Sequence, residues 1–181
     1  QTWHHVAPDR HFDIINPESD PRYRELWQEY HRMMCRDGVT PDIAKAKMRR
    51  DTTLIGCMVL RRGDADALVC GTFGTYDYHF KQVEDVIGLK PGAKLFAAMS
   101  LLLLPKRTLA ITDAYVNENP SAEEVAEIAK MAAEELRRLG LEPRVALLSH
   151  SNFGSSPPTS ARKLREASPI LRQVAPGPDC A

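Results

Sequence analysis

The chain has 181 residues, of which 43% are hydrophobic and 27% are charged, a composition typical of a soluble globular protein. Lysine plus arginine and aspartate plus glutamate both number 24, so the net charge is zero. This balance argues against a nucleic-acid or anionic-membrane partner, although a local anion site needs only a few cations. No apolar run is long enough to cross a bilayer, and no N-terminal segment resembles a signal peptide. We therefore expect a cytoplasmic protein with no membrane partner.

The four cysteines show no short paired spacing, so a CxxC metal or redox site is absent. They are Cys35, Cys57, Cys70 and Cys180. Three of them sit among apolar residues, which predicts buried, reduced thiols. The acidic pair in Asp64-Ala65-Asp66 lies in a glycine turn, and the N-terminal histidines have no carboxylate or cysteine arranged with them. We expect no metal site.

The first quarter of the chain predicts helices. Apolar residues recur every three or four positions from Tyr23 to Met34, and Asp37-Gly38 ends that helix. Thr40-Pro41 predicts the N-cap and first position of a second helix, which runs toward Arg50. The stretch 54–60 is continuously apolar, and periodicity leaves a buried strand and a buried helix both open there.

The middle of the chain predicts strands and one short helix. Residues 67–70 are expected to form a short buried strand, and residues 71–78 the loop after it. A short helix follows and is broken at Pro91-Gly92. Residues 95–104 and 108–112 then predict two strands joined by a turn.

The clearest helix begins at the capping box formed by Ser121 and Glu124, and Gly140 suits its end. Residues 144–148 predict an apolar strand and residues 161–171 a final helix, which Pro169 should end or kink. Strands that alternate with helices indicate an α/β architecture with a largely parallel sheet.

Three polar loops follow predicted strands, and ligands of open α/β sheets bind at the carboxyl ends of strands. They span residues 71–78, 113–120 and 149–160. Aromatic side chains beside Lys81 in the first region suit an adenine or a phosphate. The third loop is rich in small donors ahead of a helix N-terminus, which suits a phosphate or a carboxylate.

Each of these features also fits a structure without a ligand. The third loop could be a hydrogen-bonded polar loop, and the aromatic residues could belong to an amphipathic surface helix. In the second loop Asn119 or Ser121 caps the next helix, which leaves Asp113 and Asn117 as the better candidates to face a ligand. Residues Asp113, His150 and Ser151 have the types of a catalytic triad, but nothing places the histidine as a base, so no catalytic residue is assigned.

Several motifs, in order along the chain, resemble phosphate acetyltransferases. They are the segment Gly63–Gly71, the D-x-x-V-N-x-x-P-x-A-E pattern at Asp113–Glu123, and Pro143–Ser149. Finer details resemble one branch, the phosphotransacetylase-like C-terminal domain of multidomain NADP-dependent malic enzymes. They are Asp77–Phe80, Ala114–Asn117 and Leu148–Ser156. True transacetylases usually carry Ser-Thr where this chain has Asn152-Phe153.

The resemblance covers residues 12–175 and implies a three-layer α/β fold with a largely parallel sheet and two lobes, similar to isocitrate and isopropylmalate dehydrogenases. It suggests the end of the first lobe at residues 1–50, the second lobe at 51–150, and a return helix at 151–181. We expect the fold to be incomplete at both ends, because the family continues beyond Pro176. The catalytic Ser, Arg and Asp of the transacetylases lie in that later region.

The resemblance also implies a function. We expect a regulatory and assembly domain that binds acetyl-CoA as an allosteric effector and contributes to a homo-oligomer. The implied ligand-binding residues are Thr75, Tyr76, His79, Lys81, Asp113, Asn117, Ser149, Ser151, Asn152, Phe153, Gly154 and Ser155. NADP and a divalent metal are expected only in a separate malic enzyme domain. The alternatives are a phosphate acetyltransferase and a scaffold that only assembles subunits.

Overall fold

The structure is a computed structural model that describes residues 12–114, 116–149 and 159–174. The chain packs as two compact units, Gln1–Lys90 and Pro91–Ala181. This packing boundary differs from the lobe boundary at residue 50 suggested by the sequence, because the helix that starts at Thr52 packs against the helices before it. The assignment of lobes stays a prediction.

Unit 1 is helical in its described part. Its helices are α1 (Tyr23–Met34), α2 (Pro41–Arg50), α3 (Thr52–Arg62) and α4 (Tyr76–Val86), with a 3-10 turn at Cys35–Asp37 after α1. Gly38 ends that turn with φ of 83°, a left-handed conformation that glycine adopts without steric cost. The first two helices lie where the sequence pattern predicts them.

Side-chain caps fix the starts of α2 and α3. The Thr40 hydroxyl accepts from the Ile43 N–H at 3.3 Å, and the Asp51 carboxylate accepts from the Leu54 N–H at 2.9 Å. Each cap satisfies a backbone donor that the first turn of a helix leaves unpaired. The apolar stretch 54–60, left open between strand and helix, is therefore helix α3, which ends at Gly63 with φ of 79°.

Helix α3 forms the centre of the core of unit 1. Leu54, Cys57 and Met58 are fully buried, and Tyr30 of α1 is buried in the same cluster. Gly56 lies in the middle of α3, where an added Cβ would come within 2.5 Å of a Leu68 methyl carbon. The missing side chain therefore lets the segment after α3 pack directly against the helix.

Two predicted strands are wrong. Residues 67–70 form no strand, and Val69 is 98% exposed. Residues 144–148 contain only an isolated bridge at Val145, and Leu148 is 84% exposed. A strand needs hydrogen-bonded neighbours, and in the described residues the only sheet pairs two other strands with each other.

Unit 2 contains that sheet. Strand β1 (Met99–Leu104) pairs antiparallel with β2 (Arg107–Thr112), in a register that opposes Met99 to Thr112 and Leu104 to Arg107. The hairpin confirms the two predicted strands and their turn, although β1 begins four residues later than expected. The sheet of the described residues is thus two-stranded and antiparallel, and a largely parallel sheet is not seen there.

Two helices complete unit 2. Helix α5 (Ala122–Arg138) begins with the predicted capping box, in which Ser121 accepts from the Glu124 N–H and Glu124 accepts from the Ser121 N–H. Helix α6 (Thr159–Val174) continues past Pro169, so this proline does not end the helix, and the alternative prediction of a kink stays a prediction. Leu171 lies beyond the proline and packs in a buried cluster with α5, and this packing offsets the lost backbone hydrogen bond.

The cysteines depart from the expectation that three of them are buried. Cys57 is buried, whereas Cys35 and Cys70 are exposed. Cys35 lies just past the end of α1, and Cys70 lies in the segment that forms no strand. Burial, with a smaller effect from neighbouring Cys70, raises the pKa of the Cys57 thiol to about 11. Cys180 falls outside the described residues.

Candidate ligand-binding site

The first candidate loop ends at the N-terminus of α4. Gly71 and Gly74 have φ values of 108° and 100°, and Thr75 then caps the helix by accepting from the Tyr78 N–H at 3.3 Å. The helix begins at Tyr76, two residues before the end of the predicted loop. Thr75, Tyr76, His79 and Lys81 are therefore grouped on the cap and first two turns of one helix.

Both ring nitrogens of His79 are engaged within unit 1. Nε2 lies 2.6 Å from the carbonyl oxygen of Phe73, and Nδ1 lies 2.7 Å from the hydroxyl of buried Thr53. A carbonyl oxygen can only accept, so Nε2 carries a proton. In the neutral ring Nδ1 then accepts from the Thr53 hydroxyl. His79 thus ties the loop to α3, and no lone pair on either nitrogen remains free for a substrate proton.

The tyrosines at the start of α4 have different surroundings. A hydrogen bond to the Asp51 carboxylate, assisted by burial, raises the pKa of Tyr78 to about 12. Tyr76 is 47% exposed, and its ring stacks on that of Phe80 with centroids 6.0 Å apart and planes 11° apart. The stacking partner of Tyr76 is thus Phe80, and contact of the aromatic residues with a planar ligand group stays a prediction.

Lys81 is exposed but already paired. Its ammonium lies 2.7 Å from a carboxylate oxygen of Asp85 and 3.1 Å from one of Glu84. These bonds, that to Asp85 first, raise the pKa of Lys81 above its usual value. Lys81 is therefore cationic at neutral pH, and an anionic ligand would have to compete with two carboxylates for it.

The second candidate loop is held by Asp113 and Asn117. One Asp113 oxygen accepts from the Ala98 N–H at 2.7 Å, and the other accepts from the Asn117 N–H at 2.9 Å. The Asn117 amide also donates to this second oxygen and, at 2.8 Å, to the carbonyl oxygen of Phe96. In the described residues both side chains thus join the loop to the segment before β1, and their contact with a ligand stays a prediction.

The third loop lies mostly outside the described residues, including Ser151, Asn152, Phe153, Gly154 and Ser155. Ser149, the first residue of the loop, is described and exposed. The Lys163 ammonium, in the first turns of α6, donates to the Asn119 side-chain oxygen at 2.8 Å. The start of α6 therefore lies beside the second loop.

Sequence reasoning missed three residues at these loops: Asp51, Thr53 and Lys163. The partners of Thr53 and Lys163 lie 26 and 44 positions away in the chain, and no local pattern signals such contacts. Asp51 had a signal, because an acidic residue before an apolar helix is a common N-cap. The candidates at Thr75–Lys81 lie in unit 1 and the others in unit 2. The convergence of all three loops on one cleft stays a prediction.

The described residues contain no cluster of three or more His, Cys, Asp or Glu side chains that could hold a metal ion. Searched over the same residues, no helix has the length and apolar character needed to span a membrane.

Comparison with solved structures defines the class of fold. A phosphotransacetylase from Streptococcus pyogenes superposes with a TM-score of 0.79 at 27% sequence identity, over 93% of this chain and 51% of that one. This likeness confirms that the chain has an α/β fold similar to that of the phosphotransacetylases.

Sequence relatives identify the family. The family described as phosphate acetyl/butaryl transferase matches residues 2–180, and the chain belongs to it. The NADP-dependent malic enzyme of Escherichia coli (strain K12) is 51% identical over 165 residues, which are 91% of this chain and 22% of the relative. The phosphate acetyltransferase of Nitratidesulfovibrio vulgaris is 34% identical over 163 residues, 90% of this chain and 23% of the relative. The chain thus spans less than a quarter of either protein, and its resemblance to the malic enzymes is confirmed.

Proposed function

We propose that this chain is a regulatory and assembly domain of an NADP-dependent malic enzyme and binds acetyl-CoA as an allosteric effector. The observation that carries the proposal is the 51% identity to a malic enzyme over 91% of the chain, against 34% to a phosphate acetyltransferase. In the whole protein, the oxidative decarboxylation of malate to pyruvate, with its NADP and divalent metal, belongs to another domain.

Two contacts favour a binding role over acetyl transfer. Acetyl transfer from CoA to phosphate needs a base for the thiol and a cation for the phosphate. His79 has both nitrogens engaged, and Lys81 is paired with two carboxylates. Binding of a phosphorylated ligand would instead exchange those carboxylates for phosphate oxygens at the Lys81 ammonium.

We also propose a fold and an assembly for the complete protein. Segments 67–70 and 144–148 are largely apolar, and each leaves one large apolar side chain exposed, Val69 at 98% and Leu148 at 84%. In the whole protein we expect them to join a largely parallel sheet in a two-lobed, three-layer domain, with loops 71–78, 113–120 and 149–160 at one cleft. We also expect a cytoplasmic homo-oligomer, to which this domain contributes contacts.

The first experiment measures malate oxidation by the complete protein over a range of acetyl-CoA concentrations. We expect inhibition, and we expect Lys81→Ala to weaken acetyl-CoA about tenfold, or roughly 1.4 kcal/mol. Lys106→Ala, in the β1–β2 turn, is the matched control and should leave inhibition unchanged. Activity that is insensitive to acetyl-CoA would refute the regulatory role.

The family membership also favours a second function, phosphate acetyltransferase activity. The complete protein should then form acetyl phosphate from acetyl-CoA and phosphate. Measurable formation of acetyl phosphate would favour the acetyltransferase function over the regulatory role. If acetyl-CoA neither binds nor reacts, and deletion of the domain changes only the mass of the assembly, the domain is a scaffold.

A further inference from the structure

A second candidate site lies within unit 1, in a groove between α1 and α2. The groove has a volume of about 660 Å3 and is open to solvent. The aromatic rings of Tyr23 and Trp27 form its α1 side, and Lys45 and Arg49 lie on its α2 side. No residue of the three candidate loops lines it, so it is distinct from the proposed acetyl-CoA site.

The groove concentrates positive charge. Arg24, Lys45, Arg49 and Arg50 line it against a single carboxylate, Asp42, which gives the groove a formal charge of +3. The chain as a whole has a net charge of zero. Like charges held close together repel, and an anion bound among them relieves that repulsion.

Two of the cations are already held in position. The Lys45 ammonium lies 5.0 Å from the centre of the Trp27 ring and 3.1 Å from Asp42. The Arg49 guanidinium lies 5.1 Å from the centre of the Tyr23 ring and donates to the Tyr23 hydroxyl at 3.0 Å. That hydroxyl donates in turn to the Lys45 carbonyl oxygen at 2.9 Å. Because these groups are fixed beforehand, a ligand loses less entropy in ordering them.

The other two cations are available. Arg24 and Arg50 are exposed, and neither has a hydrogen bond or ion pair with any described residue. A guanidinium offers two parallel N–H donors that match two phosphate oxygens. We propose that the groove between α1 and α2 binds a small phosphorylated anion, with Arg24 and Arg50 as its phosphate ligands and Lys45 and Arg49 as the fixed floor.

The test is calorimetric titration of the purified protein with inorganic pyrophosphate and, separately, with ADP. Saturable binding of either probe is expected in the wild type, and at least a tenfold loss in the double variant Arg24→Gln/Arg50→Gln. The side chains replaced make no hydrogen bond or ion pair with a described residue, so this variant should melt like the wild type. ADP binding tenfold tighter than pyrophosphate would identify a nucleotide, and equal binding would identify the phosphate groups alone as the ligand.

Two controls separate this site from charge effects and from the proposed function. Arg32→Gln/Arg137→Gln removes the same charge from exposed positions outside the groove and should bind pyrophosphate normally. Lys81→Ala should also bind it normally, even where acetyl-CoA binding is weakened. No saturation at about 10 mM of either probe, or unchanged affinity in Arg24→Gln/Arg50→Gln, would overturn the inference.

Discussion

The two units of the chain bury their apolar side chains to very different extents. In the described residues, unit 1 has a core cluster of eleven buried residues contributed mainly by its four helices. The corresponding cluster of unit 2 contains Ala126, Ala129 and Leu171. Its hairpin leaves leucines exposed, from 38% at Leu109 to 77% at Leu103. Unit 1 thus has the more complete core.

The difference in burial arises because helices and strands form their backbone hydrogen bonds in different ways. A helix forms its hydrogen bonds within itself, and α1 to α3 can pack against one another through short connections. A strand needs partners that can lie far away in the chain. A helical unit with short connections therefore forms its core from its own residues. Apolar segments that would need distant strand partners stay partly at the surface.

The largest effect on stability is expected in the core of unit 1. We expect Leu54→Ala to lower the free energy of unfolding by about 2–5 kcal/mol, because it opens a cavity around a fully buried site. Urea denaturation monitored by circular dichroism provides the measurement. Ile43→Ala, at a position 44% exposed, should cost much less. Equal costs at the two positions would show that the cluster is not a tightly packed core.

A smaller effect is expected at Asp20, which precedes α1. Its side chain accepts hydrogen bonds from the Arg22 backbone N–H at 2.8 Å and guanidinium at 2.9 and 3.1 Å, and the side-chain bonds hold its pKa below the usual 3.8. Asp20→Asn should therefore cost about 1–2 kcal/mol at pH 7.

The pH dependence of that cost follows from the direction of the shift. Because the folded pKa is lowered, the stabilisation is present above about pH 4 and is lost as pH falls through the folded pKa. The difference between wild type and Asp20→Asn should shrink in acid, as measured by urea denaturation at several pH values. A difference that stays constant down to pH 2 would contradict this assignment.

In unit 2, the N-cap of α5 allows a milder test. Ser121→Ala should cost about 1 kcal/mol, because it leaves the Glu124 N–H without its side-chain acceptor. Thermal melting followed at 222 nm gives the shift. Ser100→Ala, on an exposed position of β1, is the matched control. If both variants melted together, the capping box would contribute nothing to the stability of unit 2.

The smallest effect is expected at the exposed hairpin. Leu103→Thr should change stability by no more than about 0.5 kcal/mol, because Leu103 is 77% exposed and threonine suits a strand. It should also reduce aggregation, as measured by light scattering of the purified chain. A cost above about 1 kcal/mol would mean that this leucine is covered in solution. The two units would then differ less in how far they bury their apolar side chains.

Sequence patterns predicted the features that depend on neighbouring residues. Thr40 and Ser121 cap helices as expected, and Gly140 adopts a left-handed φ of 76° just past α5. The predicted strands at 67–70 and 144–148 failed because pairing depends on distant segments. At the candidate site, a bond such as that between Thr53 and His79 joins residues 26 positions apart, and local composition could not reveal it.

The bare backbone at Gly56 has a consequence for the first loop. Glycine inside a helix costs about 1 kcal/mol relative to alanine, yet here it forms a socket for the Leu68 side chain. Leu68 therefore packs against α3 three residues before Gly71, in the segment that leads into the first loop. A Gly56→Ala change would favour the helix but would displace the Leu68 side chain. It would thereby disturb the segment that leads into the first loop.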